Sequence, residues 1–292
     1  MKEGAFTLLV TPFKDDGSLD EQALRKLVNM QIEANVHGIA PLGVTGENTL
    51  MSIEEIKKVL KIVVEEVKEK MPVIPDTCAM GLDEALFKVK LYSEVGATHA
   101  AAYVPFFVRP KRDGIIRFYE ELAEESEIPI IMHNAAGRTC VNMEPETTAH
   151  LAKHPNIVGI KDGNKQMDHL AKIIRLTKNE DFKVYTGKDT TAYPLLCMGG
   201  AGTFTVAGNI VPIVMKNIVD WTLSGKREEA EKLHNEYFSL FEAVRFETNP
   251  MGAKAALELM DIIKGTLRLP LTPLSDKKKE ELKTIMKEKG LI

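Results

Sequence analysis

Residues 52–79 read SIEEIKKVLKIVVEEVKEK, then Met71, then PVIPDTCA, and the two pieces follow different rules. In the first, Ile56, Val59, Leu60, Val63 and Val67 recur at three- and four-residue steps, the spacing that lines one face of an α-helix with apolar side chains. Ser52 and Glu55 stand as a capping box at its start, each able to satisfy the other's backbone N–H. The second piece is a short β-rich run. A second amphipathic helix is expected over LDEQALRKLVNMQIEAN (19–35), and eight β-rich runs can be marked between the helical patterns: AFTLLV, VHGIAPLG, PVIPDTCA, THAAAYVP, PIIMHN, IVGIKDG, FKVYTGK and GTFTVAG. Strand and helix in alternation imply parallel strands joined by right-handed crossovers. Several of the runs are apolar almost throughout, as when one strand face fills a barrel and the other packs on helices. The reading is an α/β chain forming a (β/α)8 TIM barrel with a C-terminal helical extension, with an open doubly wound sheet as the alternative. Strand signals stop after Gly208, and the rest reads as helices broken by NPMG and LRLPLTPLS. The expected division is a barrel over 1–210 and a helical C-terminal domain over 211–292, with no low-complexity linker between them.

Composition narrows the function classes. The chain has 292 residues, 44% apolar and 27% charged, with 42 acidic against 38 basic side chains for a net charge of -4. Its lysines alternate with glutamates along helices, which describes a solvated face and argues against a nucleic-acid partner. No stretch approaches the ~20 apolar residues of a membrane span. Cys78, Cys140 and Cys197 are few, widely separated and without metal-ligand spacing, so they read as reduced thiols acting as small buried hydrophobes in a cytoplasmic protein.

In a barrel of this kind the chemistry gathers at the C-terminal ends of the strands. The sixth run, NIVGIKDGN, leads straight into Lys161. A lysine there is ordinarily solvated; one desolvated by apolar neighbours has its amine pKa lowered from about 10.4, leaving neutral amine to attack a ketone and form a Schiff base. The second run ends in PLGVTGENT, where Gly43 and Gly46 bracket Val44 and Thr45. Such a turn exposes peptide N–H groups beside the Thr45 hydroxyl, a seat for a carboxylate; taken alone, it is also an ordinary strand-to-helix turn. The fifth run, in IPIIMHNAAGRTC (128–140), puts His133 and Arg138 at the barrel mouth. An imidazole titrating near ~6.5 suits acid–base work, although a histidine merely hydrogen-bonded to its neighbours fits the same position. The glycines of MGGAGTFTVAGN near the eighth run leave a phosphate-binding barrel enzyme open as well.

LVTPF, GVTGE, GIKDGN and TLRLPLTPL together resemble the dihydrodipicolinate synthase and N-acetylneuraminate lyase superfamily over essentially the whole chain. GRTC and TLRLPLTPL point to the synthase branch. The resemblance implies a barrel enzyme needing no metal or organic cofactor, usually a homotetramer built as a dimer of dimers, that forms a lysine Schiff base with pyruvate or another 2-oxo acid. Lys161 matches the Schiff-base lysine, Thr45 the pyruvate-carboxylate donor and Arg138 the arginine that binds the second substrate's carboxylate. Val44 and Gly187 fall at substrate-contacting positions. The synthase's proton relay of a threonine, a tyrosine of the fifth strand and a tyrosine from the neighbouring subunit is replaced here by Val44, His133 and Phe107, so all three relay hydroxyls are missing. His133 then becomes the candidate acid–base group and Phe107 the subunit-interface residue of the pocket.

The leading reading is a class I lyase or aldolase acting on a 2-oxo acid, with Lys161 and His133 as catalytic residues. A genuine 4-hydroxy-tetrahydrodipicolinate synthase, a 2-keto-3-deoxy sugar acid aldolase or dehydratase, and a non-catalytic 2-oxo acid binding protein are the alternatives. The expected partner is a small molecule, with the chain assembled as a homotetramer or homodimer.

Overall fold

The computed structural model describes residues 1–292. The capping box forms as the sequence suggests: Ser52 Oγ accepts from the Glu55 N–H at 3.2 Å and Glu55 Oε2 accepts from the Ser52 N–H at 3.0 Å, starting helix α2 (Ile53–Val67). Its buried face carries Ile56, Val59, Leu60, Ile62, Val63 and Val67, each contributing about 1.5–3 kcal/mol by leaving water. Helix α1 (Glu21–Glu33) begins on the Asp20 side chain, which accepts from Ala23 N–H, and packs along α2.

Seven strands run parallel: β1 (Gly4–Leu8), β2 (Gly38–Ala40), β3 (Ala100–Tyr103), β4 (Ile130–Asn134), β5 (Ile157–Asp162), β6 (Lys183–Thr186) and β7 (Gly202–Thr205), in the order β2-β1-β7-β6-β5-β4-β3. The third of the eight expected runs is not a regular strand. It is an extended stave joined to β2 by an Ile39–Val73 bridge and to β3 by an Asp76–Ala101 bridge. Ile74 N–H donates to Ile39 O and Thr77 N–H to Ala101 O, both at 2.9 Å, so this stave closes the gap between the two ends of the sheet and completes the barrel. Pro72 and Pro75 explain why no continuous ladder forms, since neither has an N–H to donate.

Helices α3 (Leu82–Val95), α4 (Arg112–Glu125), α6 (Pro145–Leu151), α7 (Met167–Thr177) and α8 (Ala192–Cys197) follow successive staves, with the single turn α5 (Ala136–Thr139) directly after β4. Helix α9 (Pro212–Leu223) covers β1 and β7; the boundary expected at residue 210 falls just before it. Then come α10 (Arg227–Ala243), α11 (Met251–Leu259) and α12 (Asp276–Glu288), interrupted at NPMG and LRLPLTPLS. This C-terminal part is fastened to the turn after β2. Lys254 Nζ on α11 lies 2.5 Å from Glu47 Oε1, both side chains being fully buried, and Arg268 N–H donates to Glu47 Oε2 at 3.1 Å.

Inside the barrel Phe6 stacks on Phe204 with ring centroids 5.1 Å apart, and Tyr185 meets both edge-on. No helix is long and apolar enough to cross a membrane. All three cysteines are free thiols, but only Cys78 is buried; Cys197 is partly covered and Cys140 is exposed. The expectation that each acts as a small buried hydrophobe is therefore corrected: Cys140 caps the end of α5 in a left-handed conformation that turns it outward, and Cys197 sits at the end of α8.

Candidate active site

The strand registers align Tyr103 on β3 with His133 on β4, His133 with Lys161 on β5, and Lys161 with Tyr185 on β6. Neighbours in register project to the same face of a sheet, so these four residues form one row round the barrel wall. Above them opens a cavity of about 110 Å³ lined by Val44, Thr45, Tyr103, His133, Arg138, Lys161 and Gly187, among others. Six of the seven residues singled out from the sequence thus meet in one place. The exception is Phe107, whose ring stands 85% exposed on the surface and forms no part of this cavity's wall.

Lys161 is buried and makes no ion pair; its Nζ stands 5.5 Å from the centroid of the Phe204 ring. Burial pushes its amine down to about 8; Asp76 and Cys78 oppose this and the Arg245 and Arg138 guanidiniums add to it. An amine so placed keeps a substantial neutral fraction near neutrality, which is what nucleophilic attack requires. Gly187 borders the lysine stem: a Cβ there would lie 3.4 Å from Lys161 Cε, in ordinary van der Waals contact.

Opposite, the turn of GVTGE closes on itself through Gly46 N–H to Gly43 O at 3.0 Å and Glu47 N–H to Val44 O at 3.1 Å. The Val44 and Thr45 N–H groups donate to no backbone carbonyl. Thr45 Oγ1 accepts from Asn249 Nδ2 at 2.9 Å, which leaves the hydroxyl hydrogen to point elsewhere. These are the donors a carboxylate needs. Gly46 is required by space, since a Cβ would stand 2.8 Å from Leu42 N, and Glu47 holds its left-handed backbone against Lys254.

His133 is buried, and its Nδ1 lies 2.6 Å from Asp76 Oδ2. Burial and the nearby Lys161 charge push the imidazole down to about 4, against the opposing pull of Asp76, so the ring is neutral at pH 7. Tyr103 covers it, with ring centroids 3.8 Å apart and planes tilted by 38°. Burial raises the Tyr103 phenol well above its ordinary range and keeps it protonated.

The cavity wall is basic. Besides Lys161 and Arg138 it includes Lys188 and Arg245, and no carboxylate side chain. Arg245 Nη2 donates to Gly187 O at 2.7 Å, and its Nε sits 3.5 Å from Asp189 Oδ2. Arg138 is exposed and reaches Thr248 Oγ1 and Asn249 O, each at 3.4 Å. Burial lowers the Lys188 amine, helped by Arg245, Lys165 and Arg138.

Asp76, Tyr103, Lys188, Arg245 and Asn249 escaped the sequence reading. Lys188 closes the run FKVYTGK, where the rule that found Lys161 could have found it; Asp76, behind Pro75, and Tyr103, behind three alanines, carry no such local signal. Arg245 and Asn249 arrive from the loop between α10 and α11, which carries no such signal.

The whole length of the chain matches known proteins. The model of the "Dihydrodipicolinate synthetase family" matches residues 1–289. The chain belongs to that family. A 4-hydroxy-tetrahydrodipicolinate synthase of Syntrophus aciditrophicus is 40% identical to this family member, all of both chains being covered. The dihydrodipicolinate synthase structure from Thermotoga maritima superposes with a TM-score of 0.98 at 36% identity, covering 100% of each chain. The Acinetobacter baumannii synthase, solved in complex with pyruvate, gives 0.97 at 33% identity, again covering 100% of both. This family member is accordingly a lyase-type TIM-barrel enzyme of the dihydrodipicolinate synthase kind.

Proposed function

We propose that this enzyme is a class I aldolase that joins pyruvate, or a close 2-oxo acid, to an anionic aldehyde, or reverses that reaction. The observation that carries the reading is Lys161: a buried amine without an ion pair, facing across a small cavity from the Val44 and Thr45 amides. The 2-oxo acid's carboxylate sits on those amides and the Thr45 hydroxyl, placing its C2 carbonyl at the Lys161 amine. Attack and loss of water give a protonated imine, which draws electrons from the bond to C3. Loss of a C3 proton gives the enamine that attacks the aldehyde carbon. His133 handles that proton. The reaction needs no metal or organic cofactor, because the imine itself is the electron sink.

Arg138, Lys188 and Arg245 favour a partner with one or more anionic groups, since cations crowded into a partly desolvated wall repel one another until an anion arrives. A genuine 4-hydroxy-tetrahydrodipicolinate synthase is the second reading, favoured by Arg138 in GRT at the cavity mouth. The chain acts as an oligomer in which Phe107 reaches a neighbouring subunit; exposed Phe107, Val108, Phe87 and Met80 are the apolar surface for that contact. The three free thiols suit the cytoplasm.

Product analysis by NMR after incubation with pyruvate and a panel of aldehydes tests the reading. A new carbon–carbon bond formed with anionic aldehydes, and absent with Lys161→Ala, is the expected result. Turnover of pyruvate with aspartate semialdehyde at ordinary rates of about 1–10³ s⁻¹ would select the second reading, and a panel without any product, in either direction, would leave a 2-oxo acid binding protein.

A further inference from the structure

The three hydroxyls absent from Val44, His133 and Phe107 leave the proton steps to other groups, and the residues packed round His133 show which. Asp76 is itself rigidly held. Its backbone carbonyl accepts from Asn48 Nδ2 at 2.9 Å and from the Tyr92 hydroxyl at 3.1 Å, and Oδ1 accepts from Cys78 N–H at 3.2 Å. That leaves Oδ2 for His133 Nδ1, 2.6 Å away. A carboxylate only accepts, so Nδ1 must carry the hydrogen and Nε2 keeps its lone pair. Nε2 makes no hydrogen bond within the chain and is not among its sealed, unpartnered polar atoms, while His133 lines the same cavity as Lys161, its neighbour in register. The Tyr103 ring closes over the imidazole and blocks rotation.

We propose that Asp76 is a positioning residue that fixes His133 as the Nδ1–H tautomer, making Nε2 the base that removes the C3 proton of the lysine-bound 2-oxo acid. The step balances within the site. Nε2 takes the proton, the C3–H electron pair forms the C2–C3 double bond, and the imine π pair moves to the Lys161 nitrogen. When C3 then attacks the aldehyde carbon, the imine is restored and the imidazolium returns its proton to the new alkoxide. Asp76 steadies the transient imidazolium between the two transfers, and hydrolysis of the imine frees the product.

The other ionisable groups acting on His133 are Lys161 and Asp162 on β5; Tyr103 on β3 lies over its ring, and Arg138 on α5 shares the cavity wall. Asp162 is already engaged by Asn134 Nδ2 at 2.9 Å and by His169 at 3.3 Å, so Asp76 alone addresses the His133 ring.

This inference rests on the Schiff-base reading, and the test separates the two. Wild type, Asp76→Asn, Asp76→Glu and Tyr103→Phe are each treated with pyruvate and borohydride to score the adduct. The same proteins are then followed by NMR for exchange of the pyruvate methyl protons in D2O, and ¹⁵N spectra read the His133 tautomer. An asparagine amide donates to Nδ1 and reverses the tautomer. We expect Asp76→Asn to keep the adduct, move the His133 proton to Nε2, slow exchange by about 10²–10⁴-fold and change its pH profile; Asp76→Glu should recover part of the loss. Exchange at the wild-type rate in Asp76→Asn overturns the proposal, as does loss of exchange in Tyr103→Phe alone, which would give the role to the phenol. Absence of any wild-type adduct strikes the Schiff-base reading instead, and an unchanged tautomer in Asp76→Asn then still refutes the part assigned to Asp76.

Discussion

Two lysines of this chain share a chemical description and differ in everything around it. Lys161 and Lys254 are both buried, and burial pushes both amines down to about 8. Lys254 has its charge answered on every side: Glu47 Oε1 at 2.5 Å, Thr266 O accepting at 2.8 Å, and the Phe13 ring 4.3 Å below. Lys161 has no carboxylate in contact, since Asp76 is spent on His133, and it faces a cavity. A displaced pKa therefore records burial and does not by itself mark reactivity. The distinguishing feature is an amine left without a partner beside an opening, which costs folding energy and, on the proposed mechanism, supplies the nucleophile.

The contrast can be broken or sharpened by substitution. The largest effect is expected from Lys161→Ala, which should take turnover to background while leaving the fold intact or more stable, as read by rate assays alongside thermal denaturation. In the wild type the rate of imine formation should rise about tenfold per pH unit and level off above about 8, because the neutral amine is the attacking form. Its stability has the same sign: the unfolded lysine still holds its proton between about 8 and 10.5, so the penalty for burying this amine is present at pH 7 and fades as pH rises through that window. Lys254→Met should behave oppositely, costing about 3–5 kcal/mol in denaturant melts by stranding the buried Glu47 carboxylate without its counter-ion, while whatever protein remains folded still forms the adduct. A Lys254→Met protein as stable as the wild type would erase the distinction. The smallest effect belongs to Arg138→Ala, about ten- to a hundredfold on use of a carboxylate-bearing aldehyde with little change in adduct formation from pyruvate. Equal losses in both steps would make Arg138 structural.

The barrel was legible because its signals are local. Apolar runs, the Ser52–Glu55 cap and the breaks at NPMG and LRLPLTPLS each lie within a few residues, and the rule that strand ends carry chemistry singled out Lys161, Thr45 and Arg138. The irregular third stave was less so: PVIPDTCA looks like a strand by composition, yet its two prolines reduce it to bridges. Asp76 follows Pro75 and looks like a turn residue, and only folding brings it to a histidine 57 positions away. Tyr103 ends an alanine-rich run that packs like core, so its place over His133 was not readable from its neighbours. Arg245 and Asn249 enter from beyond the barrel, where the sequence offers helical periodicity and no sign of which loop returns to the mouth.

On the proposed mechanism the unpartnered amine, and not the paired one, is the nucleophile. Intact mass and peptide mapping after treatment with pyruvate and borohydride test it most directly. The expected result is a single reduced pyruvyl adduct per chain, on the peptide bearing Lys161, with Lys254 unmodified. An adduct on Lys254, adducts spread over surface lysines, or no adduct with pyruvate or any other 2-oxo acid would contradict it.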